Sequence, residues 1–287
     1  FSRTIGVRDS FLLTSLTWLV ASSLSAIPLH YSNIHISMID AFFECVSGYT
    51  TTGSSILSGL DNMSPGILLW RSITQFIGGM GMISLGIIFL PFLRIGGMQL
   101  FSSESSDKSE KIMPRTASIV TGIFICYCTL TLACTVLLHL FGMTLFDAVN
   151  HAMAALATGG FSTRDSSMMQ FNAAIQWTAT GFMFLGGLPF VLYVQLATRG
   201  SFSLFRDSQV RAFATLCIVA AVVLTLWLIF SEHLPPADAL RHSFFNVVSI
   251  LTTTGLASTD YTLWAPFPNM LLLLSLIHIS EPTRRRG

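Results

Sequence analysis

Charge is what this chain has least of: Asp, Glu, Lys and Arg make up only 10% of its 287 residues, against 52% hydrophobic residues and a mean hydropathy of +0.68. A water-soluble domain carries roughly 25% charged residues, so most of this surface must face lipid. The net charge of +1 offers no basic excess for nucleic acid and no acidic tail. Phosphate cradles are missing too, since no glycine-rich loop closes on Gly-Lys-Ser or Gly-Lys-Thr. Cysteine is sparse, and Cys126, Cys128, Cys134 and Cys217 lie inside apolar runs. Cys126-Tyr-Cys128 lacks the two-residue gap and second ligand pair of a zinc site, so all five cysteines read as small core residues. Neither His139 nor His151 has a carboxylate or serine partner at helical spacing that looks like a catalytic dyad, which argues against a membrane-embedded enzyme. The expectation is therefore a non-enzyme with no bound cofactor.

What the chain does have is long apolar runs. Stretches able to cross a bilayer, which takes about 20 residues, run Ser10 to Leu29, Gly66 to Leu93, Ala117 to Phe141, Ile175 to Thr198 and Arg211 to Ser231, and a sixth begins near Leu263. Backbone groups in hydrocarbon must be satisfied internally, so these are helices and the fold class is an all-α membrane protein. Between paired spans lie shorter apolar segments rich in Thr, Ser and Gly: Asp40 to Gly53, Phe146 to Gly159 and Asp238 to Gly255. Each starts as a short helix and ends in Thr-Gly.

Aligned on that glycine, Gly53, Gly159 and Gly255 fall in register, with Thr52, Thr158 and Thr254 just before them and Glu44, Asn150 and Asn246 nine residues upstream. The repeated unit is span, half-helix, re-entrant loop, span, with several such units expected around one ion pathway. The first unit covers 1–93 with its filter at 50–55, the second 117–198 with its filter at 157–161, and the third 211–273 with its filter at 252–257. Residues 94–116 and 199–210 are linkers. Arg3, Arg8, Arg94, Lys108, Lys111, Arg115, Arg199, Arg206 and Arg211 precede the first span or lie at or in these linkers, which makes that side cytoplasmic. The other side is net acidic and would gather cations.

A dehydrated cation exchanges its water shell for protein oxygens, and a Thr-Gly loop can offer backbone carbonyls and hydroxyls. Glycine tolerates the positive φ that such a loop requires. A half-helix ending at the loop aims its negative dipole end at the ion. Glu44 reads as structural support more than as an ion ligand. Arg71 and Arg164, just after two filters, read either as limits on cation occupancy or as interface anchors. Gly78-Gly79-Met-Gly81 and Gly186-Gly187 read as close helix contacts.

Asp40-Ala-Phe-Phe-Glu-Cys-Val-Ser-Gly-Tyr-Thr-Thr-Thr-Gly53, Ala157-Thr-Gly-Gly-Phe-Ser-Thr163 and Phe245-Asn-Val-Val-Ser-Ile-Leu-Thr-Thr-Thr-Gly255 resemble the pore loops of the TrkH and KtrB superfamily of potassium uptake proteins. Gly96-Gly-Met-Gln-Leu-Phe-Ser-Ser-Glu-Ser-Ser106 resembles the bacterial TrkH branch, and the likeness runs from Arg8 to Leu273. The resemblance implies four potassium-channel-like pore units around one K⁺ pathway. It further implies a homodimer in the bacterial inner membrane, with lipid around it and a cytosolic nucleotide-binding subunit of the RCK/TrkA type as regulator. Carried over residue by residue, the filter oxygens come from Thr51, Thr52 and Gly53, from Ala157, Thr158 and Gly159, and from Thr253, Thr254 and Gly255. With Ala157 in place of a threonine, the second loop has one hydroxyl fewer. A single filter glycine per unit implies weaker rejection of Na⁺ than a two-glycine filter gives. Alternatives are a symporter coupling K⁺ to H⁺ or Na⁺ and, behind it, a membrane-embedded enzyme. The chain opens on Phe1 and so is expected to be a fragment. Leu274 to Gly287 resembles a translated sequencing adapter and is set aside as non-native, leaving a fourth filter and an intramembrane gate expected beyond it and an open-sided pore.

Overall fold

The computed structural model describes residues 7–93, 112–199 and 203–264, with 268, 270 and 272; the adapter-like tail and most of the first linker lie outside the described residues. Among the described residues there is helix and no strand. The helices are α1 (Val7–His30), α2 (Met38–Tyr49), α3 (Pro65–Leu93), α4 (Ile112–Leu140), α5 (Leu145–Leu156), α6 (Ala173–Gly186), α7 (Phe190–Arg199), α8 (Ser203–Arg206), α9 (Ser208–Ser231) and α10 (Pro236–Leu251). Stretches of α1, α4 and α9 are long and apolar enough to cross a membrane, and α6 with α7 makes up a bent fourth candidate. Their outward faces are apolar: Phe124, Ile125 and Leu132 on α4, and Ile218, Val219 and Phe230 on α9, are all exposed. Hydroxyls on these helices turn back onto their own turns, as with Thr135 onto the Thr131 carbonyl and Thr225 onto that of Ala221. That gives each buried hydroxyl an acceptor within its own helix.

The short helices α2, α5 and α10 begin for different reasons. Ser37 and Thr144 cap α2 and α5 by accepting from the N–H of Asp40 and Asp147, while α10 starts on Pro235-Pro236 with no side-chain cap. Each packs against the long helix before it, and α3 and α6 each pack onto the short helix of the following unit as well. The middle of the molecule is α5, whose Ala148, Ala152, Ala154 and Ala155 are 0–1% exposed. Small residues let its neighbours close in, which is how helices gain packing energy when lipid competes equally for apolar surface.

The span read as Ile175 to Thr198 is not continuous: α6 and α7 meet at 88°. Pro189 has no N–H to give the Leu185 carbonyl, so the helix stops. That carbonyl instead accepts from the Tyr193 hydroxyl at 2.8 Å and from the Leu188 N–H at 3.2 Å. Of the five cysteines, Cys45, Cys134 and Cys217 are buried, but Cys126 and Cys128 are only half-buried on α4.

Candidate functional site

Each short helix ends the same way. Thr51 N–H bonds the Gly48 carbonyl and Thr52 N–H that of Ser47; Thr158 and Gly159 repeat this on Ala155 and Ala154, and Thr253 and Thr254 on Ile250 and Ser249. This is the Schellman pattern, which requires a left-handed residue just after the cap. Glycine normally fills that position. Here it is threonine three times, with φ of 54° at Thr51, 50° at Thr158 and 58° at Thr253. A β-branched residue held there costs on the order of 1–3 kcal/mol and survives only where its surroundings enforce it. Two residues on, Gly53, Gly160 and Gly255 take φ of 76°, 77° and 83°.

The second loop is therefore shifted by one residue from the alignment on Gly159. Gly160 is the counterpart of Gly53 and Gly255, and Gly159 stands where Thr52 and Thr254 do. Ala157 is the helix cap, matching Thr50 and Thr252. The second loop thus lacks two hydroxyls, not one.

The three loops meet. A Cβ placed on Gly53 would strike the carbonyl oxygen of Gly159, and one on Gly160 would strike that of Thr254. On Gly255 a Cβ would find open space among the described residues. The glycine pairs in the long helices make this approach possible. A Cβ on Gly78 would strike the end of α2 at Tyr49, and one on Gly186 would press on the end of α5 at Leu156. Gly79 and Gly187 leave room for the next unit's cap, Ala157 and Thr252 respectively. These pairs are close helix contacts, although Gly186 and Gly187 sit at the end of α6 and not within a span.

The loops are braced differently. In the first, Thr50 Oγ1 lies 2.8 Å from Thr52 Oγ1, and in the third Thr252 Oγ1 lies 2.7 Å from Thr254 Oγ1, with each cap hydroxyl also on the carbonyl one turn back. In the second, Gln75 reaches across from α3. Its Nε2 donates to the Gly159 carbonyl at 2.5 Å, and its Oε1 accepts from the Phe161 N–H at 3.1 Å. Nothing in the sequence marked Gln75, because its partners lie more than eighty residues away.

The segments after the loops are held by one equivalent position on each short helix. Glu44 accepts from Ser55 Oγ at 2.9 Å and the Ile56 N–H at 3.3 Å, and Asn246 accepts from the Ser258 N–H at 3.3 Å. With the register corrected, the third member is His151, whose Nε2 is 3.0 Å from Ser162 Oγ, eleven residues on and outside helical spacing. Asn150 instead bonds the Phe146 carbonyl on its own helix. The His151 ring is 1% exposed with Nδ1 on the Asp147 carbonyl, which makes the pair a strut. Arg71 is buried against Glu44 at 2.7 Å, also reaches Ser55 Oγ and the Ser162 carbonyl, and stacks 4.2 Å over Phe161. It ties the segment after the first loop to that after the second and is not an interface anchor. Arg164, half-exposed, bridges Asp61 at 3.1 Å and Asp147 at 3.3 Å. Burial pushes the Asp147 carboxyl up, but Thr163, Thr144 and Arg164 outweigh it and hold it below the usual carboxylate range. Glu44, Asp61 and Asp147 are thus all paired with arginine.

The sequence matches the model of TrkH, described as a cation transport protein, over residues 2–278. The chain belongs to the TrkH family. It is 44% identical over 256 residues to the Trk system potassium uptake protein TrkI of Halomonas elongata, covering 88% of this chain and 52% of that one. It is 38% identical to the Trk system potassium uptake protein TrkH of Vibrio parahaemolyticus, covering 93% and 57%. The crystal structure of the potassium transporter TrkH from Vibrio parahaemolyticus superposes with a TM-score of 0.84 at 36% identity, over 93% of this chain and 56% of that one. This TrkH-family chain spans little more than half the length of these relatives, and its helical membrane fold is theirs.

Proposed function

We propose that this chain forms three quarters of a K⁺ uptake pore in a bacterial inner membrane, with the loops at Thr51–Gly53, Thr158–Gly160 and Thr253–Gly255 supplying the filter oxygens. The observation that carries the reading is the threefold recurrence of a left-handed threonine followed two residues later by a positive-φ glycine, in loops that touch one another. Strained backbone of this kind is retained where function depends on it. Three short helices deliver their C-terminal ends, and hence the negative ends of their dipoles, to the same place, which favours a cation over an anion. The relatives' names supply the ion, K⁺.

A fourth unit beside Gly255 would complete the ring. The basic linkers lie on the cytoplasmic side, where a nucleotide-binding regulatory subunit of the RCK/TrkA type would dock, and the whole protein pairs as a homodimer. Permeation is favoured over coupling to H⁺ or Na⁺, because Glu44, whose carboxylate holds the segment after the first loop, is paired with Arg71 at 2.7 Å and is not a lone intramembrane carboxylate.

The test is uptake of K⁺ or Rb⁺ with Na⁺ competition, in cells deficient in potassium uptake that carry the native full-length gene, beside Gly160→Ala. The expected result is uptake by the parent and none by the variant at equal membrane abundance. Parental flux and selectivity in Gly160→Ala would overturn the pore reading.

A further inference from the structure

We infer that Gln75 is a positioning residue for the second filter loop and thereby sets how strictly the pore prefers K⁺ to Na⁺; this rests on the pore reading above. In the first and third loops the two residues flanking the left-handed threonine are themselves threonines, joined hydroxyl to hydroxyl. The second loop has Ala157 and Gly159 there, so neither hydroxyl exists. It also has two consecutive glycines, Gly159 and Gly160, and so is the loop whose backbone is least restrained by its own side chains.

Gln75 fills that gap from another unit. It is 0% exposed, and a Cβ on Gly159 would lie within 2.8 Å of its Cδ, Nε2 and Oε1. Its amide spans Gly160, giving a donor to the carbonyl before it and an acceptor to the N–H after it. The assignment of nitrogen and oxygen follows from this pair, because the reversed amide would set oxygen against oxygen and N–H against N–H. The clamp fixes the Gly159 carbonyl, which lies against Gly53 of the first loop, so one side chain sets both the shape of loop two and its fit to loop one. Gly159 is glycine because Gln75 occupies the space of its side chain.

The experiment uses the full-length protein, with K⁺ and Rb⁺ uptake under Na⁺ competition and membrane abundance measured by immunoblot. Gln75→Glu keeps the shape and the acceptor for Phe161 but puts an oxygen against the Gly159 carbonyl. K⁺-over-Na⁺ preference should fall about tenfold, the scale of one buried carbonyl left without its donor. A merely structural role would lower abundance and leave the preference intact. Gln75→Ala should lose preference as well. Adding Ala157→Thr and Gly159→Thr to it, which builds the hydroxyl pair of the other loops into the vacated space, should restore most of it.

Parental preference in Gln75→Glu, beside a dead Gly160→Ala, would overturn this role and leave the pore reading standing. A Gly160→Ala chain that transports like the parent would remove both. If Gln75→Glu fails to reach the membrane, the triple variant decides: recovered preference supports the role, and preference still lost overturns it.

Discussion

The first and third loops brace themselves, whereas the second is braced by a neighbour. Both solutions hold the same backbone, a Schellman turn with threonine in the left-handed region and a glycine two residues later. The difference shows that the backbone geometry is the feature in common, and that side chains are interchangeable means of enforcing it. It also makes the second loop dependent on the first unit, through Gln75 and through Arg71, which reaches the Ser162 carbonyl. Interdependence of this kind couples the units into one object.

The largest expected effect breaks the contact between loops. Gly53→Ala and Gly160→Ala each place a methyl on a neighbouring carbonyl at a positive φ, so both should abolish uptake. The comparison sharpens if they differ. The carbonyl facing Gly53 is held by Gln75, and that facing Gly160 is Thr254's own, so Gly53→Ala should be the harder to rescue by second-site changes.

Next comes the buried pair. Arg71→Met takes away the buried ion-pair partner of Glu44 and should cost about 3–5 kcal/mol. Glu44→Gln with Arg71→Met should recover much of that, because no unpaired charge remains buried. Thermal unfolding in detergent measures both. The segment after the first loop is held by an ion pair and the other two by His151 and Asn246, so Asn246→Ala should cost less, about 1–3 kcal/mol. Equal losses at Arg71 and Asn246 would show that charge contributes nothing at the first strut.

These features differ in how far they could be read beforehand. Helix over the apolar runs and the half-helices between them were legible because apolar length and Thr-Gly endings are local signals. The register of the second loop was not. Thr158-Gly159-Gly160 offers two glycines, and only the hydrogen bonds to Ala155 and Ala154 show which one is the counterpart of Gly53. The misassignment of Asn150 in place of His151 follows from the same one-residue slip. Gln75 carried no local signal at all, being one polar residue in an apolar helix with both partners in a distant loop. Gly186-Gly-Leu-Pro189 was visible, but continuous hydrophobicity on both sides masked the break.

A smaller effect should come from the hydroxyl pairs. Thr254→Val keeps the shape and removes the bond to Thr252, costing about 1 kcal/mol. K⁺ uptake should persist with a modest loss against Na⁺. An unchanged preference in both Thr254→Val and Thr52→Val would mean that the pairs do not brace these loops, and the parallel with Gln75 would fail.

The smallest effect is expected where the first and second units part company beyond the ends of their short helices. Both place a glycine pair beside the ends of their short helices, but α3 runs on while α6 stops at Gly186 and α7 leaves at 88°. The residue that separates them is Pro189, where α3 has Gly81. Tyr193→Phe removes only the hydroxyl that satisfies the Leu185 carbonyl, while the Leu188 N–H continues to reach it. The cost should be about 0.5–1.5 kcal/mol, seen as a small fall in melting temperature with uptake retained. Pro189→Ala restores the missing N–H and so pulls the second unit toward the geometry of the first. If uptake through Pro189→Ala changes while Tyr193→Phe leaves it alone, the bend itself matters to transport, and the hydroxyl only relieves the carbonyl that the bend exposes.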